Sequence, residues 1–148
     1  MIYSSQPMKR VAATLIACMF VPHDASAQQR SASDQTPESA QAFLASAVTQ
    51  WARVSTSKME VHAGVKSVGS QAAHCETVIK HNEGTIIANW RQAGAITMRE
   101  LRTETYPHLL KVERPNGHLQ LYFSSAEIRG RALIAAEFLK SYCATGAF

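Results

Sequence analysis

The hydrophobic period of this chain changes twice, and that switch constrains the fold more than any other feature. Ala40, Phe43, Leu44, Ala47, Val48 and Trp51 recur at helical spacing, which makes one apolar stripe. Thr36 stands where an N-cap would, Pro37 takes the first helical position, and Glu38 meets the positive end of the helix dipole. A helix over 37–52 is therefore predicted, with Trp51 on its buried side. From 59 to 124 the period becomes two. Met59, Val61, Ala63 and Val65 alternate with Glu60, His62, Gly64 and Lys66. Strand-like runs follow in AHCETVIKH, GTIIANW and AITMREL, with Asn82-Glu83-Gly84 as a hairpin turn. HLLKVERPNGHLQLYF reads as a second hairpin around Asn116-Gly117. If those two residues form the loop, Val112 faces Leu121 and Leu110 faces Phe123. Helical spacing then returns. Ser124 and Glu127 form a capping box, Ile128, Ala132, Ala135, Leu139 and Cys143 share a stripe, and Gly146 ends the helix.

These elements predict an α+β domain: an antiparallel sheet of five or six strands with an N-terminal and a C-terminal helix packed on it. The final strand running into a capping box and a long helix resembles the closing strand and capping helix of pleckstrin-homology-like barrels. That resemblance implies a helix-capped barrel and leaves function open. The helix EFLKSYC followed by TGAF is similar to the tail of small uncharacterised exported proteins of Gram-negative bacteria that close on F-L-x-x-C and T-G-F. Here Ala147 separates Gly146 from Phe148.

The first thirty residues bear on compartment. Lys9 and Arg10 precede an uncharged, mostly apolar run from Val11 to Val21, then Pro22 and Ala25-Ser26-Ala27. That is the layout of a signal peptide cleaved after Ala27, and the run is too short to cross a bilayer. Residues 28–35 are polar and read as a disordered tail, and 36–148 as one domain. The alternative is a lipobox, Leu15-Ile16-Ala17-Cys18, with Cys18 lipidated as an outer-membrane anchor. Either way two cysteines remain, Cys75 and Cys143. An even count in an exported chain favours a disulfide between them. The expected location is periplasmic or secreted.

Composition excludes several chemistries. The chain carries a net charge of +4, and its basic residues are scattered. The densest group, Arg91, Arg99 and Arg102, has no aromatic interleaving of the kind a nucleic-acid groove requires. Beyond the signal the sole aspartate is Asp34, in the tail, so a Ser-His-Asp triad is excluded and only a glutamate version stays open. His62, His74, His81, His108 and His118 show neither H-x-H nor H-x-x-x-H spacing, which argues against a metal site. No phosphate-cradling glycine loop is present, and no cofactor is expected. Glu60, Glu76, Glu83, Glu100, Glu104 and Glu113 are spread over several strands. Trp90, Tyr106 and Phe148 are the candidate partner contacts, since aromatics dominate binding hot spots.

The function expected is an exported, non-enzymatic binding or interaction protein whose partner is an envelope protein or a small ligand. The alternatives are a small periplasmic enzyme using a thiol or histidine, or an envelope lipoprotein.

Overall fold

The capping signals at Thr36 hold as read. A computed structural model describes residues 35–59, 62–102 and 105–146. The signal segment 1–27, Cys18, Phe148 and all of the tail except Gln35 lie outside these residues. The elements run α1 (Pro37–Trp51), β1 (Ala52–Thr56), β2 (Ala63–Gln71), β3 (Glu76–His81) and β4 (Gly84–Asn89). After a single 3-10 turn at Trp90–Gln92 come β5 (Ile96–Glu100), β6 (His108–Arg114), β7 (Gly117–Phe123) and α2 (Ala126–Ala144). At the start of α1 the Thr36 side chain accepts from Ser39 N–H, and Ser39 reciprocates on the Thr36 backbone N–H.

Among the described residues the sheet has seven strands, not five or six, in the order β4-β3-β2-β1-β7-β6-β5, with every neighbouring pair antiparallel. The additional strand is β1. No turn residue announces it, because Ala52 is at once the C-cap of α1 and the first residue of the strand. Trp51 is corrected with it. Its carbonyl accepts from Ser124 N–H at 3.1 Å, which ties this end of α1 to the β7–α2 junction. The indole is left at the rim, 45% exposed, instead of on the buried stripe.

The second hairpin has a different turn from the one expected. Arg114 pairs with Gly117, Val112 with Leu119 and Leu110 with Leu121, so the loop is Pro115-Asn116. Proline's fixed φ suits the first central position of a turn. The shift is two residues, so it preserves every facing, and Leu110, Val112, Leu119 and Leu121 stay buried together. Gly117 has φ +124°, and a side chain there would collide with Ser57. The N-cap of α2 is Ser125, whose hydroxyl accepts from Ile128 N–H. Ser124 lies one position before the cap, with its backbone N–H on the Trp51 carbonyl.

The two helices pack on each other and on one face of the sheet. Leu44, Val48, Val54, Ile79, Leu110, Val112, Leu119, Phe123 and Leu139 form the core. Alanines at 132, 135 and 136 let α2 approach closely. The sheet curls until Arg114, at the end of β6, donates to the Ile87 carbonyl of β4 at 3.1 Å. Cys75 and Cys143 are bonded, with Cα atoms 5.7 Å apart, so the last helix is pinned beside the β2–β3 connection. At the other end of α2, Arg129 and His108 both bond the Glu100 carboxylate. Desolvation pushes that carboxyl up, but the bonds from Arg129 and His108 outweigh it and hold it below its usual range.

The β2–β3 connection departs most from expectation. AHCETVIKH reads as one strand, yet β3 begins only at Glu76. Ala72, Ala73 and His74 have φ of 48°, 51° and 66°, three successive left-handed residues without a glycine. Each costs about 1–2 kcal/mol in this region. The turn persists because its neighbours hold it. Cys75 N–H donates to the Ala72 carbonyl, Trp90 N–H to the Cys75 carbonyl, and Gln41 Nε2 to the His74 carbonyl. Ala73→Gly is therefore expected to stabilise the protein by about 0.5–1 kcal/mol, since relief of the left-handed penalty exceeds glycine's entropic cost. Chemical denaturation checks this, and a lower midpoint for the variant would contradict it.

Candidate functional site

The outer face of the sheet gathers aromatic and basic side chains that are far apart in sequence. Strand alternation turns Val54, Leu121 and Leu110 inward and so turns Arg53, Tyr122 and Leu109 outward. Register aligns them: Arg53 lies opposite Tyr122, Tyr122 opposite Leu109, and Leu109 opposite Arg99. The segment between β5 and β6 carries Tyr106 over this face, where the Arg53 guanidinium sits 5.5 Å from its ring centroid. His62, just before β2, stacks on Tyr122 with centroids 3.8 Å apart. These contacts explain why Tyr122 is only 6% exposed on an outward-facing position. Its hydroxyl donates to Gln120 Oε1 at 2.9 Å. Trp51, two residues before Arg53 in sequence, is exposed.

Tyr106, a candidate contact from sequence, belongs to this surface and is half-buried. Trp90 does not. It is 2% exposed, and its Nε1 donates to Thr77 Oγ1 at 2.9 Å. Thr77 donates to Gln41 Oε1 at 2.7 Å, and Gln41 Nε2 donates to the His74 carbonyl at 2.8 Å. Trp90 thus ends a buried polar chain joining α1, the left-handed turn and β3, and it cannot meet a partner. Polar neighbours in sequence, Asn89, Arg91 and Gln92, concealed this, because the 3-10 turn rotates the indole inward while those residues cap and surround it. Sequence reasoning missed Arg53, His62 and Tyr122. The signal for Arg53 would have been β1 itself, whose alternation Arg53-Val54-Ser55 is only three residues long.

A serine, a histidine and a carboxylate meet beside the left-handed turn. Ser70 Oγ lies 3.3 Å from His74 Nδ1, and His74 Nε2 lies 3.4 Å from Glu38 Oε1. This is the glutamate version of a triad in composition only. The Glu38 side chain is 63% exposed, whereas an orienting carboxylate must be rigid and buried. Glu38 is held below its usual carboxylate range by its own backbone N–H and by Thr36 at the start of α1, with His74 a lesser cause. The trio clasps the left-handed turn to α1. A shallow groove of about 210 Å³ over β2 and β3 is lined by Ser67, Gly69, Gln71, Val78 and Lys80 and offers one charge. Among the described residues no three metal-ligating side chains converge, and no helix is long and apolar enough to cross a membrane.

No family model matches the chain, so the likeness of its tail to small exported bacterial proteins gains no support. No curated protein matches it either. Among solved structures it is similar to "PH domain from PfAPH", with a TM-score of 0.53 and 11% identity over 75% of this chain and 97% of that one. It is also similar to "PH domain from TgAPH", with a TM-score of 0.51 and 13% identity over 77% and 98%. At such identities the likeness concerns the fold, and it supports the resemblance read from the closing strand and helix.

Proposed function

We propose that this PH-like domain is an exported, non-enzymatic interaction module that binds through the outer sheet face around Trp51, Arg53 and Tyr106. The observation that carries this reading is the Arg53–Tyr106 pair on the outer sheet face, two residue types rich in binding hot spots, with Trp51 exposed two residues before Arg53. Export rests on the N-terminal signal layout and agrees with the Cys75–Cys143 bond, which suits an oxidising compartment. The place is the periplasm or the exterior, with a lipid anchor at Cys18 as the alternative. While the bond holds, neither sulfur is a thiolate, which weighs against a thiol-dependent enzyme.

The test places a photo-crosslinking residue at position 106 of the full chain. Material recovered from the envelope is expected to start at Gln28 and to give one reproducible adduct. A crosslinker at Ile134, exposed on α2, should give none. Tyr106→Ala with the crosslinker moved to position 51 should reduce the adduct about tenfold, a hot-spot effect. Absence of any reproducible adduct, or equal adducts from positions 106 and 134, would overturn the reading.

A further inference from the structure

We propose that the free edge of β5 is where two copies of this protein pair, antiparallel across a two-fold axis centred on Met98. The inference stands apart from the partner reading above and rests on the ends of the sheet. Among the described residues β5 has one strand neighbour, β6. Leu101 N–H donates to the Pro107 carbonyl and Glu113 N–H to the Ala95 carbonyl, each at 2.9 Å. In an antiparallel ladder alternate residues turn their backbone groups to the same neighbour. Residues 95, 97, 99 and 101 therefore face β6, and the N–H and C=O groups of Ile96, Met98 and Glu100 point away from it. α2 reaches β5 through Arg129, which takes the Glu100 carboxylate and the Arg99 carbonyl and none of these outward groups. The opposite end of the sheet differs, since Arg114 donates to the Ile87 carbonyl of β4.

A second observation marks the same edge. Met98 lies opposite Leu110, and Ile96 opposite Val112, so both stand on the core face of the sheet. Leu110 and Val112 are 0% and 1% exposed, whereas Met98 is 47% exposed. The apolar face thus runs on to the last strand and leaves a long uncharged side chain in water. Edges are commonly blunted by proline, a bulge, a covering element or charge. Over Ile96–Glu100 the pairing has no bulge and the strand no proline, so charge is its guard, and a second copy evades it. Centring on Met98 sets Met98 against Met98, Thr97 against Arg99 and Ile96 against Glu100. No like charges meet directly, the two methionines cover each other, and all the outward backbone groups of both strands are bonded. Centring on Arg99 would oppose two arginines. Centring on Thr97 would set Glu100 against Gly94, whose N–H is already on the Glu113 carbonyl. The contact is smaller than a standard interface, so association is weak and concentration-dependent.

The experiment follows the mass of the full chain, without reductant, by analytical ultracentrifugation from micromolar to near-millimolar concentration. The mass should rise toward that of two chains and stop there, since a two-fold contact closes on itself. Met98→Pro removes an outward N–H that β6 does not use. Its fold, followed by circular dichroism, should therefore persist while the dimer is lost. Thr97 is exposed, and charge variants there read the register. Two-fold symmetry sets each new charge opposite an Arg99 twice, so Thr97→Glu should tighten association about fivefold and Thr97→Arg should weaken it as much. Lys80→Ala, exposed on β3, should change nothing. A single-chain mass throughout, masses beyond two chains, association that survives Met98→Pro in folded protein, or equal effects of the two Thr97 variants would overturn the proposal. If Met98→Pro does not fold, the two Thr97 variants decide.

Discussion

A Cys75→Ala, Cys143→Ala double variant is expected to lose about 4 kcal/mol of stability in urea denaturation. The bonded residues are 68 apart in sequence, so the bond removes a large share of the unfolded chain's freedom. It also closes the fold where no strand pairing does. α2 is the last element, and its far end meets the rest of the molecule beside the β2–β3 turn. The sulfurs are buried at 1% and 3% exposure, so alanine also leaves a small unfilled volume, which adds to the loss. The double variant is preferable to a single one, because a lone thiol could pair between molecules. Reductant should destabilise the native protein by a similar amount and leave the double variant unchanged. A loss below about 1 kcal/mol in both measurements would mean that the helix is held by packing alone.

Thr77→Val is the second large effect, expected at about 2–4 kcal/mol. Valine keeps the shape, so no cavity term enters. What changes is hydrogen bonding: Trp90 Nε1–H loses its acceptor and Gln41 Oε1 its donor, both in the interior. Each orphaned buried group costs about 1–3 kcal/mol. Thr77→Ser keeps the hydroxyl and should recover most of the loss, which separates the hydrogen-bond effect from a packing effect. Trp90 fluorescence should shift in the valine variant and not in the serine variant. If the valine variant is as stable as the parent, the hydrogen bonds through Thr77 contribute nothing to stability.

The same turn shows where sequence patterns lose their hold. Periodicity is a local property, and it located both helices and five or six strands because apolar and polar residues alternate or recur along each of them. It failed at β1, where the helix passes into a strand at Ala52 without a breaking residue. It failed again at residues 72–74, since alanine carries no signature of left-handed backbone and only distant partners keep it there. The register of the second hairpin was legible to within two residues. Burying one face fixes odd against even but not the position of the turn, and Pro115 decided that.

The candidate site divides in the same way. Tyr106 was visible as an aromatic in a polar segment. Trp90 looked equivalent, and its burial depended on Thr77 and Gln41, which lie 13 and 49 residues away. The sequence by itself determined the order of the elements other than β1, the inward set of the second hairpin, and a pair of cysteines suited to one bond. Tertiary structure alone decided which aromatics face water, and it brought Arg53, Tyr122, Leu109 and Arg99 into one row. The physical reason is that burial patterns arise within a segment, whereas a surface is assembled by strand register between segments, and register depends on the whole sheet.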